Sequence, residues 1–105
     1  MPPFFVPLSS TNCATLCAIF EVPTRADIVW DDFERLVRAL GGMWRKPGQT
    51  AGSGRRAVLN GVRGLFHEPH PDPRMKKGSV ESARQFLQNA GITPQTEGCI
   101  CRQTS

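Results

Sequence analysis

The dipeptide Asn60-Gly61 constrains the fold of this chain more than any other feature. It stands between the β-prone runs Arg55–Leu59 and Val62–Phe66, and a two-residue Asn-Gly connection suits the positive φ angles of a type I′ hairpin turn. A hairpin closed there has one register: Leu59 opposite Val62, Val58 opposite Arg63, Ala57 opposite Gly64, Arg56 opposite Leu65, Arg55 opposite Phe66 and Gly54 opposite His67. Side chains alternate across the pleat, so Ala57, Leu59, Val62, Gly64 and Phe66 share one face, with Arg55 at its end. Arg56, Val58, Arg63, Leu65 and His67 share the other. The first set is suited to burial under helices; the second makes a basic surface with a titratable group at its rim.

Helical periodicity frames this hairpin. In "ADIVWDDFERLVRALGG", Phe33, Leu36, Val37 and Leu40 recur at the spacing of one helical face, Asp31 and Asp32 suit its positive end, and Gly41 or Gly42 supplies a left-handed stop. "SVESARQFLQNAGI" predicts a second helix with Ser79 as N-cap, Val80, Ala83, Phe86, Leu87 and Ala90 on its buried side, and Gly91 as its end. A shorter helix is expected within "NCATLCAIFEVP", closed before Pro23, and a short strand at "MWRK". "PGQTAGSG" and "HEPHPDPRMKKG" read as loops. The order is α+β: a helix, a three-stranded antiparallel sheet and a helix, with a short extra N-terminal helix. Both main helices are expected on one face of the sheet, the other being left open.

A chain of 105 residues holds one domain. Its limits are read as a flexible arm over 1–10, the domain over 11–94 and a C-terminal tail over 95–105. No apolar run has the length a membrane span needs, and the Pro-interrupted start lacks the basic residues of a signal peptide, so a cytoplasmic protein without a membrane partner is expected. Under that expectation Cys13, Cys17, Cys99 and Cys101 are reduced thiols. Cys13/Cys17 has a spacing that zinc sites use and Cys99/Cys101 does not, so a zinc-stabilised module on these four residues is a minor alternative; no metal or other cofactor is expected.

Charge is concentrated in the middle third. Residues 41–78 hold eight Lys/Arg and two Asp/Glu, out of 13 and nine in the whole chain. A polyanion would dock there, although a solvated basic face has the same composition. Arginine's planar fork matches phosphate oxygens and keeps its charge, so Arg56 and Arg63 suit both the grip on an RNA backbone and the stabilisation of charge growing at phosphorus. Histidine is the residue type suited to moving a proton at a ribose 2′-hydroxyl, which makes His67 a candidate, and His70 follows, held between Pro69 and Pro71. Lys76 and Lys77 stand where a helix N-terminus could receive a phosphate. Each also has an ordinary reading: strand arginines protect edges, and a histidine after a strand often only caps it.

Three stretches together resemble the HicA family of toxins, small mRNA interferases of toxin–antitoxin pairs: "TLCAIFEVPTRADIVWDDFERLVRALGG", "GSGRRAVLNGVRGLFHEPHP" and "KKGSVESARQFLQNAGI", spanning Thr15 to Pro94. The likeness is to the branch with a TL-x-A-IF helix and an F-H-x-P-H-P segment. It implies a double-stranded-RNA-binding-like fold, metal-independent cleavage of mRNA by a nuclease (a hydrolase of the endonuclease type), and neutralisation by a HicB-like antitoxin. Typical members carry Gly-Ser-His at the start of the second strand, that histidine being catalytic, whereas here Gly52-Ser53 is followed by Gly54. The resemblance therefore leaves two functions open: a nuclease that uses His67, aided by His70, with Arg55, Arg56, Arg63, Lys76 and Lys77 on the RNA, or an inactive relative that binds RNA or an antitoxin without cutting. The closer branch often has an arginine in place of that histidine, so Arg55, one position along, is a further candidate for the missing role.

Overall fold

A computed structural model describes residues 7–45 and 54–101. The expected arm over 1–10 lies mostly outside them, as does the loop over 47–54 apart from Gly54. The elements are α1 (Ser10–Ile19), α2 (Trp30–Ala39), β1 (Met43–Arg45), β2 (Gly54–Leu59), β3 (Val62–His67) and α3 (Lys77–Asn89). The fold is α+β with one antiparallel sheet in the order β1-β2-β3. The hairpin has the expected register at all six pairs, from Gly54↔His67 to Leu59↔Val62. Asn60 and Gly61 take φ of 51° and 80°, the left-handed pair that a type I′ turn needs. The Asn60 side-chain amide donates to the Ala90 carbonyl (2.9 Å), which ties the hairpin tip to the end of α3.

One aromatic chain joins the helices to the sheet. Trp30 and Phe33 of α2, Trp44 of β1, Phe66 of β3 and Phe86 of α3 meet edge to face, with ring centroids 5.1–6.1 Å apart. Ala57, Leu59 and Phe66 are buried beneath the helices, as alternation requires. Gly64 lies in the same layer where α3 crosses β3. A Cβ there would come within 2.8 Å of the Phe86 ring and 2.9 Å of the Phe66 ring. Gly64→Ala is accordingly expected to cost about 1–3 kcal/mol through overpacking, read as a lower urea midpoint at unchanged m-value.

α1 makes its contacts with α2 and α3, burying Leu16 and Ile19 completely. Arg84 of α3 takes up the carbonyls at the end of α1, donating from Nε to Ile19 (2.8 Å) and from Nη2 to Glu21 (3.1 Å). The β3–α3 loop is stitched to the entry of α2: Trp30 N–H donates to Pro73 (2.9 Å) and Met75 N–H to Ile28 (2.7 Å), and Met75 is buried. None of the described helices is long and apolar enough to cross a membrane.

Three expectations are corrected. α3 begins at Lys77, with Lys76 in the extended N-cap conformation and no side-chain cap, so Ser79 lies inside the first turn. The residue type best suited to capping was present, but the chain turns helical three residues earlier, where the loop delivers it.

The segment from 95 is no loose tail as far as residue 101. Thr93 and Thr96 exchange hydrogen bonds (2.9 and 3.2 Å), Cys99 N–H donates to Pro94 (2.8 Å), and Ile92, Pro94 and Cys99 are buried.

The cysteines are not reduced thiols: Cys13 pairs with Cys99 and Cys17 with Cys101, which also removes the thiolates a zinc site would use. The pairing has a geometric reason. Four residues of helix rise about 6 Å, two residues of extended chain about 6.6 Å, so a C-x-x-x-C on a helix and a C-x-C beside it form a ladder with matched rungs. The Cα separations of 5.4 and 5.5 Å show the two rungs in step.

Candidate nucleic-acid interface

The sheet face away from the helices is built by three strands. Arg56, Val58, Arg63, Leu65 and His67 come from the hairpin; Met43 and Arg45 join them because Met43 pairs with Val58 and Arg45 with Arg56. Arg45, Arg56, Arg63, Leu65, Met43 and His67 are exposed and Val58 is half-buried. Arg45 was not singled out from the sequence. Its register depends on β1 meeting β2 across a long Gly-rich connection, and nothing local encodes that.

Five of the described arginines are paired with carboxylates, whereas Lys76, Lys77 and Arg84 are not. Arg25 bridges Glu21 and Asp27, Arg35 meets Asp32, Arg38 meets Glu34, Arg55 meets Glu68 and Arg74 meets Asp72. Arg45, Arg56 and Arg63 meet no carboxylate among the described residues, and no Asp or Glu shares their face. Arg45 and Arg56 stand directly opposite one another, a like-charge cross-strand pair that costs stability unless an anion lies over it. No family model, curated protein or solved structure matches the chain. Its chemistry must therefore be read from the side chains themselves.

The other predicted residues are distributed as follows. Arg55 is on the helix-covered side, 20% exposed, with Nη2 2.8 Å from Glu68 and Nη1 donating to the Gly54 carbonyl (2.8 Å). That position does not bring it to the open face with Arg56 and Arg63. His67 ends β3 on the open face, opposite Gly54. His70 is exposed in the loop beyond. Lys76 and Lys77 are exposed at the start of α3. Arg74 is nearby in sequence, but its fork is held by Asp72 at 2.9 and 3.1 Å, and the same hydrogen bonds pull the Asp72 carboxyl down to about 2. Both side chains are exposed, and Arg74 has a carboxylate partner that Arg45, Arg56 and Arg63 lack among the described residues.

The aromatic rings of the core, including Trp44 of β1 and Phe66 of β3, lie on the covered side. The open face thus offers guanidinium groups, aliphatic groups and the His67 imidazole instead of Trp, Tyr or Phe rings. Such a surface can neutralise phosphates and cover a sugar edge, and its guanidinium and imidazole planes are what a base could stack on.

Proposed function

We propose that the chain is a HicA-like toxin, an mRNA-cleaving endoribonuclease whose working surface is the open face of the sheet. It would belong to a toxin–antitoxin pair with a HicB-like protein as its antitoxin, and would act on mRNA in the cytoplasm with a double-stranded-RNA-binding-like fold. The observation that carries this reading is the placement of Arg45, Arg56 and Arg63, without a carboxylate among them, on the same sheet face as His67. A cationic face without counter-charges favours a polyanion as its ligand. Two cystines belong to oxidising surroundings. In a reducing cytoplasm both cystines would open to thiols, leaving α1 held by the buried apolar contacts of Leu16 and Ile19.

The chemistry follows from the groups present. His67 takes the proton of a ribose 2′-hydroxyl, the 2′-oxygen attacks the adjacent phosphorus, and the guanidinium groups meet the charge gathering on the phosphoryl oxygens. The bond to the 5′-oxygen breaks, and the imidazolium so formed, or His70, returns the proton to it. The products are a 2′,3′-cyclic phosphate and a 5′-hydroxyl. His67→Ala is expected to slow cleavage about 10²–10⁴-fold while RNA binding persists. Cleavage at the parent rate would remove His67 from the mechanism.

Gly54 favours a second reading. It lies opposite His67, at the position where the family the chain resembles carries its catalytic histidine, and it supplies no proton-transfer group. An inactive relative that binds RNA or an antitoxin would keep the arginines and dispense with cleavage. Induced expression followed by RNA end mapping separates the two: growth arrest with new RNA ends supports the nuclease, and arrest without them supports binding alone.

A further inference from the structure

β3 is an edge strand six residues long. Beside a two-residue turn, hairpin pairs alternate between those that exchange both backbone hydrogen bonds and those that exchange none, beginning with a bonded pair. Leu59↔Val62, Ala57↔Gly64 and Arg55↔Phe66 are then the bonded pairs, and the N–H and C=O of Arg63 and Leu65 point outward, away from β2. Edges of this kind are commonly blunted by proline, a bulge or a covering segment. Here the register runs unbroken, and the first proline after the turn is Pro69. Among the described residues the other edge strand, β1, covers Met43–Arg45.

A groove of about 230 Å³ runs beside this edge, walled by Gly64 and Phe66 on the strand side and by Ser82, Gln85, Phe86 and Asn89 of α3. It is below the roughly 300–1,000 Å³ of metabolite pockets. A groove between an edge strand and a helix is instead the arrangement that receives an extended peptide as an added strand. Its charge selects the peptide. Arg63 is the charged side chain of the lining, and no carboxylate lines the groove or shares the open face.

We propose that the β3 edge binds an extended acidic segment of a partner protein as a fourth strand of the sheet. Backbone hydrogen bonds form to Arg63 and Leu65. Alternate side chains of the segment place carboxylates beside Arg63 on the open face, and the intervening small apolar ones lie over Phe86. A second copy of this chain fits less well, because β3 paired with itself about Leu65 would set Arg63 against the other copy's His67 and join two chains of net charge +4. The inference concerns the strand edge and does not rest on the RNA reading of the face.

The test uses the full ¹⁵N-labelled chain and a nine-residue peptide of alternating Glu and Val. Binding should slow amide exchange at Arg63 and Leu65 by at least about tenfold while leaving Gly64 and Phe66, already bonded to β2, unchanged. The matching Lys/Val peptide should bind at least about tenfold more weakly. Leu65→Pro removes an outward N–H without breaking the hairpin ladder and should abolish binding. Arg63→Glu, which leaves the backbone intact, should reverse the preference between the two peptides. Unchanged exchange at Arg63 and Leu65, equal affinity for the two peptides, protection that grows with protein concentration alone, or the same protection from oligouridylate would each overturn the proposal.

Discussion

Replacing all four cysteines by serine is expected to lower the unfolding free energy by about 7 kcal/mol, with the loss divided unequally between the two bridges according to order of removal. Cys13–Cys99 and Cys17–Cys101 close nearly coincident loops, with sequence separations of 86 and 84. In the chain-entropy account, closing a loop of that size is worth about 4–5 kcal/mol. Once one bridge is in place, the other closes only the small ring formed by the few residues between neighbouring cysteines on each side, worth about 2 kcal/mol. The Cys17→Ser, Cys101→Ser pair should therefore cost about 2 kcal/mol in denaturant titrations, and removing the remaining bridge about 4–5 kcal/mol more. Equal and additive losses would contradict the ladder. The residual fold should keep the aromatic core, because Phe33, Phe66 and Phe86 pack without help from either cystine.

The second large effect is on RNA. Substituting Gln for Arg45, Arg56 and Arg63 together is expected to weaken binding of single-stranded RNA about 100-fold near 0.1 M salt, and to reduce the slope of log K against log salt by about 2. Both numbers follow from the loss of three phosphate contacts, each releasing about 0.7 counterion from a single strand. The same variant should be as stable as the parent or slightly more so, because Arg45 and Arg56 face each other without a carboxylate between them. Reduced affinity together with undiminished stability marks charges kept for a ligand. A variant with unchanged affinity, or one that loses both together, would argue for an ordinary solvated face.

How much of this was legible in the sequence depended on distance along the chain. The hairpin register and the membership of its two faces follow from Asn60-Gly61 alone, because a two-residue turn leaves the strands no freedom to slip. The helix at Trp30–Ala39 was readable for a similar reason, its apolar stripe and Gly41 (φ +95°) both being local. Arg45 was hidden because its partner Arg56 lies beyond a connection whose length fixes no register. The cystines were hidden because matching a helical C-x-x-x-C with an extended C-x-C requires knowing that the two ends of the chain meet. The start of α3 was misplaced because a good capping residue, Ser79, lay within reach of a loop end set by backbone bonds between residues 73–75 and 28–30. At the candidate site, the shared face of His67, Arg56 and Arg63 was readable from the hairpin. The separate position of Arg55, fixed by Glu68 on the covered side, was readable only in part, because alternation gave its face but not its partner.

Photo-crosslinking shows directly which surface meets RNA. Single-stranded RNA carrying 4-thiouridine, irradiated with the full chain and mapped by mass spectrometry, should mark peptides containing Arg45, Arg56, Arg63 and His67, with crosslinks competed away by salt. Crosslinks confined to the exposed surfaces of α1 and α2, or none at salt low enough to preserve nonspecific phosphate contacts, would contradict the account.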